Sequence, residues 1–201
     1  MKKIFVLMLA LMLTLSGMAQ ISQMVRKTTP SLEPETTHAT FYGVQIDGTV
    51  EQFASNLLAV KDWEVMQKED SKIFLKGTDH LNREVIVMAG DVQLNDGIVD
   101  MVTMLYKYGD AWDELMSGFN TLYNEYVELL GEPVRVNDPF EGDLSGEEKV
   151  SLIISGQAQY QVMFAIDNGV LILSFLPERD KILVCVMFMD VENCGLLPGV
   201  K

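Results

Sequence analysis

Histidine and cysteine are scarce in this chain of 201 residues, which has two of each. His38 and His80 lie outside any Cys/His cluster, and the zinc patterns HExxH and CxxC are absent, so we expect no zinc site. No GxSxG or SxxK motif positions a serine nucleophile, and no glycine-rich phosphate loop occurs. The sequence therefore predicts no catalytic residue, no metal ligand and no cofactor.

Positive charge is also in short supply, with 15 Lys and Arg against 29 Asp and Glu and a formal net charge of −14. Lys and Arg form no cluster beyond Arg26 and Lys27, so the phosphate backbone of a nucleic acid would be repelled. Apolar runs after the N-terminal one are interrupted by Asp, Glu or Gly well before spanning length. We expect no nucleic-acid partner and no stable membrane span once that first run is removed.

The N-terminus has the features of a signal peptide. Lys2 and Lys3 precede an apolar run over residues 4–15, which is too short to span a bilayer, and Gly17 and Ala19 supply the small residues of a cleavage site. We expect cleavage after Ala19 and an exported chain, periplasmic or extracellular. It would keep 13 basic and 29 acidic residues, a net charge of −16. An uncleaved membrane anchor is the alternative.

The two cysteines, Cys185 and Cys194, are candidates for a disulfide because an exported protein meets oxidising conditions. Cys185 belongs to an apolar run that is typical of a buried strand, whereas Cys194 lies in a polar tail. The two meet only if the chain turns back sharply after Asp190. The pattern leaves open whether they pair or remain free.

The domain organisation is predicted from composition and periodicity. Residues 20–38 contain two prolines and no hydrophobic period, which indicates a flexible lead-in, residues 39–194 form a single α+β domain, and residues 195–201 form a tail. A short apolar stretch over residues 41–46 precedes a helix that Thr49 and Gln52 begin with a capping box. Four strands then follow, at residues 63–67, 72–77, 83–90 and 98–106.

The second half repeats this order. A long helix opened by Asp110 carries an apolar stripe from Trp112 to Leu130 and ends at Gly131. Next come an acidic loop at residues 137–148, a helical turn or strand at 149–155, and strands at 159–166, 169–176 and 181–190. The short gaps between strands require antiparallel neighbours, so we predict an α+β fold, one antiparallel sheet with helices on one face. Whether the two helix-plus-meander halves are duplicates stays open.

Several stretches resemble a family of uncharacterised exported bacterial α+β proteins. They are residues 41–49, the aromatic helix that begins near Trp112, residues 130–133 and residues 188–193, and the likeness extends over residues 38–194. The resemblance implies export and a two-layer antiparallel fold, similar in layout to the β-lactamase-inhibitor protein. It implies no activity, and it transfers no catalytic or binding residue.

Two features could carry function. The segment from Asp138 to Glu148 concentrates oxygen ligands that could hold calcium, yet its order does not match an EF-hand loop, and an acidic surface loop is the alternative. The strands at 98–106 and 182–189 are apolar on both faces, so either both faces are covered or one is an exposed apolar patch.

We therefore expect an exported, non-enzymatic binding or interaction module for a protein or a small apolar ligand. The alternatives are a small carboxylate-dependent hydrolase and a structural subunit of a surface assembly. The acids of the long helix, Glu114, Glu125 and Glu128, are assigned to its solvated polar face. A pocket lined by two or more buried acids would favour the hydrolase.

Overall fold

A computed structural model describes residues 37–92 and 97–195. The predictions for the leader at residues 1–19, for most of the lead-in and for residues 196–201 of the tail lie outside these ranges. Within the described ranges, no helix combines the length and the apolar character needed to cross a membrane.

The described chain forms three helices and ten strands. The helices are α1 (Val50–Val60), α2 (Trp112–Leu130) and α3 (Gly146–Ile154). The strands are β1 (Thr40–Phe41), β2 (Val44–Gln45), β3 (Glu64–Glu69), β4 (Lys72–Thr78), β5 (Glu84–Gly90), β6 (Met101–Tyr106), β7 (Arg135–Asn137), β8 (Gln161–Ile166), β9 (Gly169–Glu178) and β10 (Lys181–Asp190).

Eight of the strands form one antiparallel sheet, in the order β3-β4-β5-β6-β10-β9-β8-β7. The strands β1 and β2 form a separate two-stranded hairpin. The predicted α+β class with a large antiparallel sheet is therefore confirmed. The order also places β6 and β10, the last strand of each predicted meander, next to each other.

Contacts divide the chain into two compact units. Among the described residues, the first, which we call the α2 unit, contains 106–164 and 172–186. The second, the hairpin unit, contains 37–92, 97–105, 165–171 and 187–195. The single domain predicted for residues 39–194 remains a prediction.

The hairpin unit has its core beneath α1. The N-cap residue Thr49 accepts a hydrogen bond from the Gln52 N–H at 3.3 Å, and the Gln52 side chain accepts one from the Thr49 N–H at 3.0 Å, so the predicted capping box is confirmed. Apolar residues of α1 such as Phe53 and Leu57 recur at helical spacing, so they form one face of the helix, and this face is buried. Leu75 of β4 and Val87 of β5 are also fully buried and oppose each other in the sheet.

The α2 unit is built on the apolar stripe of its long helix. Four stripe residues are buried, namely Leu115, Phe119, Leu122 and Tyr126. The Phe119 ring lies 5.1 Å from that of Tyr160 and 5.0 Å from that of Phe175. These ring contacts explain why the stripe packs on the sheet, since each buried aromatic removes a large apolar area from water.

Element ends differ from the predictions in several places. Strands β3, β6, β8 and β9 begin or end two or three residues away from their predicted bounds. The N-cap of α2 is Ala111 instead of Asp110, because the Glu114 side chain accepts the Ala111 N–H at 3.3 Å and supplies the cap. Residues 146–154 form α3, which extends into the predicted loop, because Ser145 and Glu148 form a second capping box. Strand β7 was not predicted; it begins before the predicted loop, ends at the first residue of that loop, Asn137, and pairs with β8.

Candidate functional site

A surface groove of about 770 Å³ lies in the hairpin unit. We call it the hairpin groove. It is lined by Gly43, Val44, Gln45, Asp47, Gly48, Gln52, Ser55, Asn56, Ala59 and Val60. Its volume falls in the range of ordinary ligand sites. Of these ten lining residues, only Asp47 is ionisable.

One wall of the groove is the β1–β2 hairpin. Tyr42 and Gly43 have φ values of 50° and 77°, and two consecutive positive φ angles are typical of the tight type I′ turn. Val44 is buried against the protein, whereas Gln45 is exposed. A Cβ added at Gly43 would meet no atom within 4 Å, so the rim of the groove is open at that position.

Aromatic packing holds this wall in place. The Phe41 ring lies 5.0 Å from that of Phe188 and 6.1 Å from that of Trp63. The Trp63 indole N–H donates to the Thr78 carbonyl at 2.9 Å. Gly77 is required here, because a Cβ at that position would lie 1.7 Å from the indole ring. The hairpin is therefore fixed to the sheet, so this groove wall is preformed.

The other wall is the exposed face of α1. Gln52, Ser55, Asn56 and Ala59 recur at the spacing of one helical stripe, next to the buried stripe that holds the helix on the sheet. The side chains of Gln45, Ser55 and Asn56 make no hydrogen bond to any other described residue. They therefore offer amide and hydroxyl groups to a ligand in exchange for water.

The groove ends at a cluster of polar residues that we call the Asp190 cluster, namely His38, Asp47, Asp190, Glu192 and Asn193. The carboxylate of Asp190 is fully buried and accepts hydrogen bonds from the N–H groups of Ala39 at 2.6 Å and Asn193 at 2.7 Å. The Asn193 side chain donates to the Ile46 carbonyl at 2.9 Å and to Asp47 at 3.3 Å. The cluster thus connects Asp47 to residues far away in the sequence.

His38 lies in the middle of this cluster. Its ring nitrogens are 3.4 Å from Asp190, 3.8 Å from Asp47 and 3.9 Å from Glu192, and its side chain is 15% exposed. His38, the last residue of the predicted flexible lead-in, is therefore mostly buried and held by these contacts. Burial raises the pKa of Asp190, although the two N–H groups and His38 act in the opposite direction.

The other buried acids serve as acceptors for turns. Asp79 accepts from the N–H groups of Leu81 and Arg83, each at 2.9 Å, and from the Arg83 side chain at 2.6 Å. Burial opposes ionisation of Asp79, but these bonds outweigh it and hold the pKa below its usual value. Asp100 accepts from the Val92 N–H at 2.8 Å, and Asp91 from the Gly97 N–H at 2.8 Å. None of these acids lines the groove.

In the acidic segment from Asp138 to Glu148, two carboxylates accept hydrogen bonds from other residues of the same segment. Asp138 accepts from the Phe140 N–H at 3.0 Å, and Glu148 accepts from the Ser145 N–H and hydroxyl at 2.8 Å each. Within residues 37–92 and 97–195, no group of three or more His, Cys, Asp or Glu is arranged to hold a metal ion. The capping role of Glu148 accounts for its position at the start of α3.

Cys185 and Cys194 are both free and buried in the structure. The Cys185 thiol donates to the Ser174 carbonyl, and the Cys194 thiol donates to the Asp100 carbonyl, each at 3.4 Å. Burial raises the pKa of Cys185 to about 12 and raises that of Cys194 well above its usual value. Neither thiol is therefore activated as a nucleophile.

The sheet presents little apolar surface where the sequence suggested a patch. In the runs at 98–106 and 182–189, most side chains are buried on both faces of the strands. The edge strand β3 does expose Val65 and Met66, but a register shift between Val65 and Gln67 interrupts it. Bulges and charged residues such as Lys68 are the usual protection of an edge against pairing. The groove is therefore the better candidate for a binding site.

Comparison of the chain with protein-family models, with curated proteins and with solved structures finds no significant match.

Proposed function

We propose that this chain is an exported, non-enzymatic binding module whose ligand occupies the hairpin groove. The observation that carries the proposal is the row of amide and hydroxyl side chains, Gln45, Ser55 and Asn56, which have no hydrogen-bond partner within residues 37–92 and 97–195 and lie on two walls that are fixed by the core. The leader features at residues 1–19 support export.

The chemistry of the groove supports binding over hydrolysis. A carboxylate-dependent hydrolase needs two acids facing each other across the substrate. The groove contains one acid, Asp47, whose side chain is 41% exposed, and the buried acids are engaged by backbone N–H groups elsewhere. A polar ligand also fits the lining better than the small apolar ligand suggested by the apolar strands.

A matched pair of variants tests the groove. Asn56→Trp places a large side chain in it, whereas Asn124→Trp makes the same change at an exposed position of α2. The purified wild-type chain and both variants are immobilised and exposed to the native envelope fraction, and bound molecules are identified by mass spectrometry. We expect Asn56→Trp to lose a ligand that the wild type and Asn124→Trp retain. Equal capture by all three chains would refute the groove as the binding site.

A further inference from the structure

The two ends of the hairpin groove differ in chemistry. Asp47 and Gly48 lie at the N-terminal end of α1, and Ala59 and Val60 lie at its C-terminal end. Val60 is 57% exposed, so one end of the groove is an exposed apolar side chain and the other end is a carboxylate. Between them lie the amides and the hydroxyl, which carry no charge.

The length of the groove matches a short extended chain. From Gln52 to Val60 the helix rises by about 12 Å, at about 1.5 Å per residue. An extended peptide advances about 3.3 Å per residue, so about four residues span this distance. Asn and Gln side chains both donate and accept hydrogen bonds, as a peptide backbone does, and can therefore pair with successive N–H and C=O groups.

The charges of the groove and of the whole chain indicate the sign of the ligand's charge. The groove has no Lys, Arg or His in its lining, and the full chain has a formal net charge of −14. At the start of α1 the capping box engages the N–H groups of Thr49 and Gln52, and Glu51 adds a carboxylate to the first turn, so this helix end does not favour an anion. An acidic ligand would be repelled by the protein as a whole, whereas a basic one would be attracted.

We propose that the ligand of the hairpin groove is an extended peptide segment of about four residues, with a Lys or Arg side chain at Asp47 and an apolar side chain at Val60. This inference rests on the proposed function, because it names the ligand class of the same groove. The basic group pairs with the exposed Asp47 carboxylate, and the intervening backbone pairs with Gln45, Ser55 and Asn56. The apolar residue covers Val60 and Ala59.

The probe is a positional-scanning array of capped hexapeptides at neutral pH, in which each position carries each of the twenty amino acids against mixtures elsewhere. We expect the purified chain to select Lys or Arg at one position and an apolar residue about three positions away. Asp47→Asn should weaken binding of the best Lys peptide by roughly threefold to fivefold, the size of one exposed ion pair. It should leave a version with norleucine in place of Lys unchanged.

Glu51→Gln is the matched control, because it removes one carboxylate from α1 outside the groove, where Glu51 pairs with Lys68 at 2.9 Å. It should not change the selection. Loss of the basic preference in both variants would show a general charge effect and overturn the role of Asp47.

Two other outcomes separate this inference from the proposed function. An array with no selected peptide, together with a ligand captured by the wild type and lost in Asn56→Trp, would overturn the peptide class and leave the groove as a binding site. Binding of chitotetraose that Asn56→Trp abolishes would have the same meaning, with a glycan as the ligand. Failure of both the array and the capture comparison would overturn both proposals.

Discussion

A buried carboxylate joins the two ends of the hairpin unit. Asp190 closes β10, and its two oxygens bind backbone N–H groups at Ala39 and Asn193, which are 154 residues apart in the chain. His38 lies beside the Asp190 carboxylate, and the carboxylates of Asp47 and Glu192 lie on the other ring nitrogen of His38. Removal of this acceptor would leave buried N–H groups unpaired, which is more costly than the net gain from one bond.

The pH dependence of stability should report on Asp190. Because its pKa is raised above 3.8, the native state holds this proton more tightly than the unfolded state. Its contribution to the free energy of unfolding is therefore largest at low pH, and falls as pH rises from 3.8 through the native pKa. Urea unfolding measures the free energy of unfolding of the wild type and of Asp190→Asn, and we expect the wild-type value minus the variant value to fall over this pH interval. A rise of this difference with pH would contradict the assignment.

The contribution of Asp79 to stability should change with pH in the opposite direction. Its pKa is lowered, since the hydrogen bonds from Arg83 and Leu81 outweigh its burial. It therefore contributes stability above pH 3.8 that is lost as pH falls through the native pKa. Urea unfolding of Asp79→Asn against the wild type should show a difference that shrinks on acidification. A difference that stays constant across the same interval would show that Asp79 does not titrate with folding.

The cysteines give a test at the level of single atoms. A thiol reacts as the thiolate, and the pKa of about 12 for Cys185 leaves almost none at neutral pH. We expect iodoacetamide to label neither Cys185 nor Cys194 in the native chain and to label both in guanidinium chloride without reductant. No labelling in denaturant until a reductant is added would instead show the disulfide that the sequence left open.

At the scale of elements, α2 should behave as a core helix. Phe119 is 1% exposed and packs on Tyr160 and Phe175. Phe119→Ala should lower the free energy of unfolding by about 3 to 5 kcal/mol, because the lost transfer energy adds to that of an incompletely collapsed cavity. Urea unfolding measures this change.

Asn124→Ala is the matched control on the exposed side of the same helix and should change stability by less than about 0.5 kcal/mol. Glu125, which helical spacing assigned to the solvated face, is half-buried in the structure and does not serve as a control. Equal effects of Phe119→Ala and Asn124→Ala would show that the stripe is not a core face.

Elements with strong periodicity were predictable from the sequence. Helix α1 begins where the Thr49–Gln52 capping box places it, and β5 and β10 match their apolar runs within a residue. Short elements were not predictable in this way. Strand β7 has three residues and exists because it pairs with β8, which is a contact of the fold instead of a local preference.

The candidate site was only half visible in the sequence. The stripe of Gln52, Ser55, Asn56 and Ala59 has helical spacing and could have been found, since it is a band of small and amide side chains beside an apolar one. The Asp190 cluster could not, because His38 and Asp190 are brought together by the fold across 152 positions. The sequence around either residue does not predict this contact.

At the scale of the whole molecule, negative charge dominates. The chain has 29 acidic and 15 basic residues, and few of the described acids have a cationic partner within 4 Å. Loss of residues 1–19 would make the balance more negative, at −16. Such an excess repels itself in the compact state and favours basic over acidic ligands. The same field that destabilises the fold thus supports the ligand charge proposed for the groove.

The self-repulsion should be measurable as a salt effect on folding. Screening lengths fall from about 30 Å at 0.01 M to about 3 Å at 1 M salt, so NaCl removes repulsion between exposed carboxylates. We expect added NaCl at neutral pH to raise the melting temperature by about 2 to 4 °C, which corresponds to about 1 kcal/mol for a chain of this size. The shift should vanish near pH 4.4, where the calculated net charge of the chain is close to zero. Calorimetric melting that shifts equally at both pH values would indicate that salt acts on apolar burial instead, and that the charge excess is not a term in the stability of the fold.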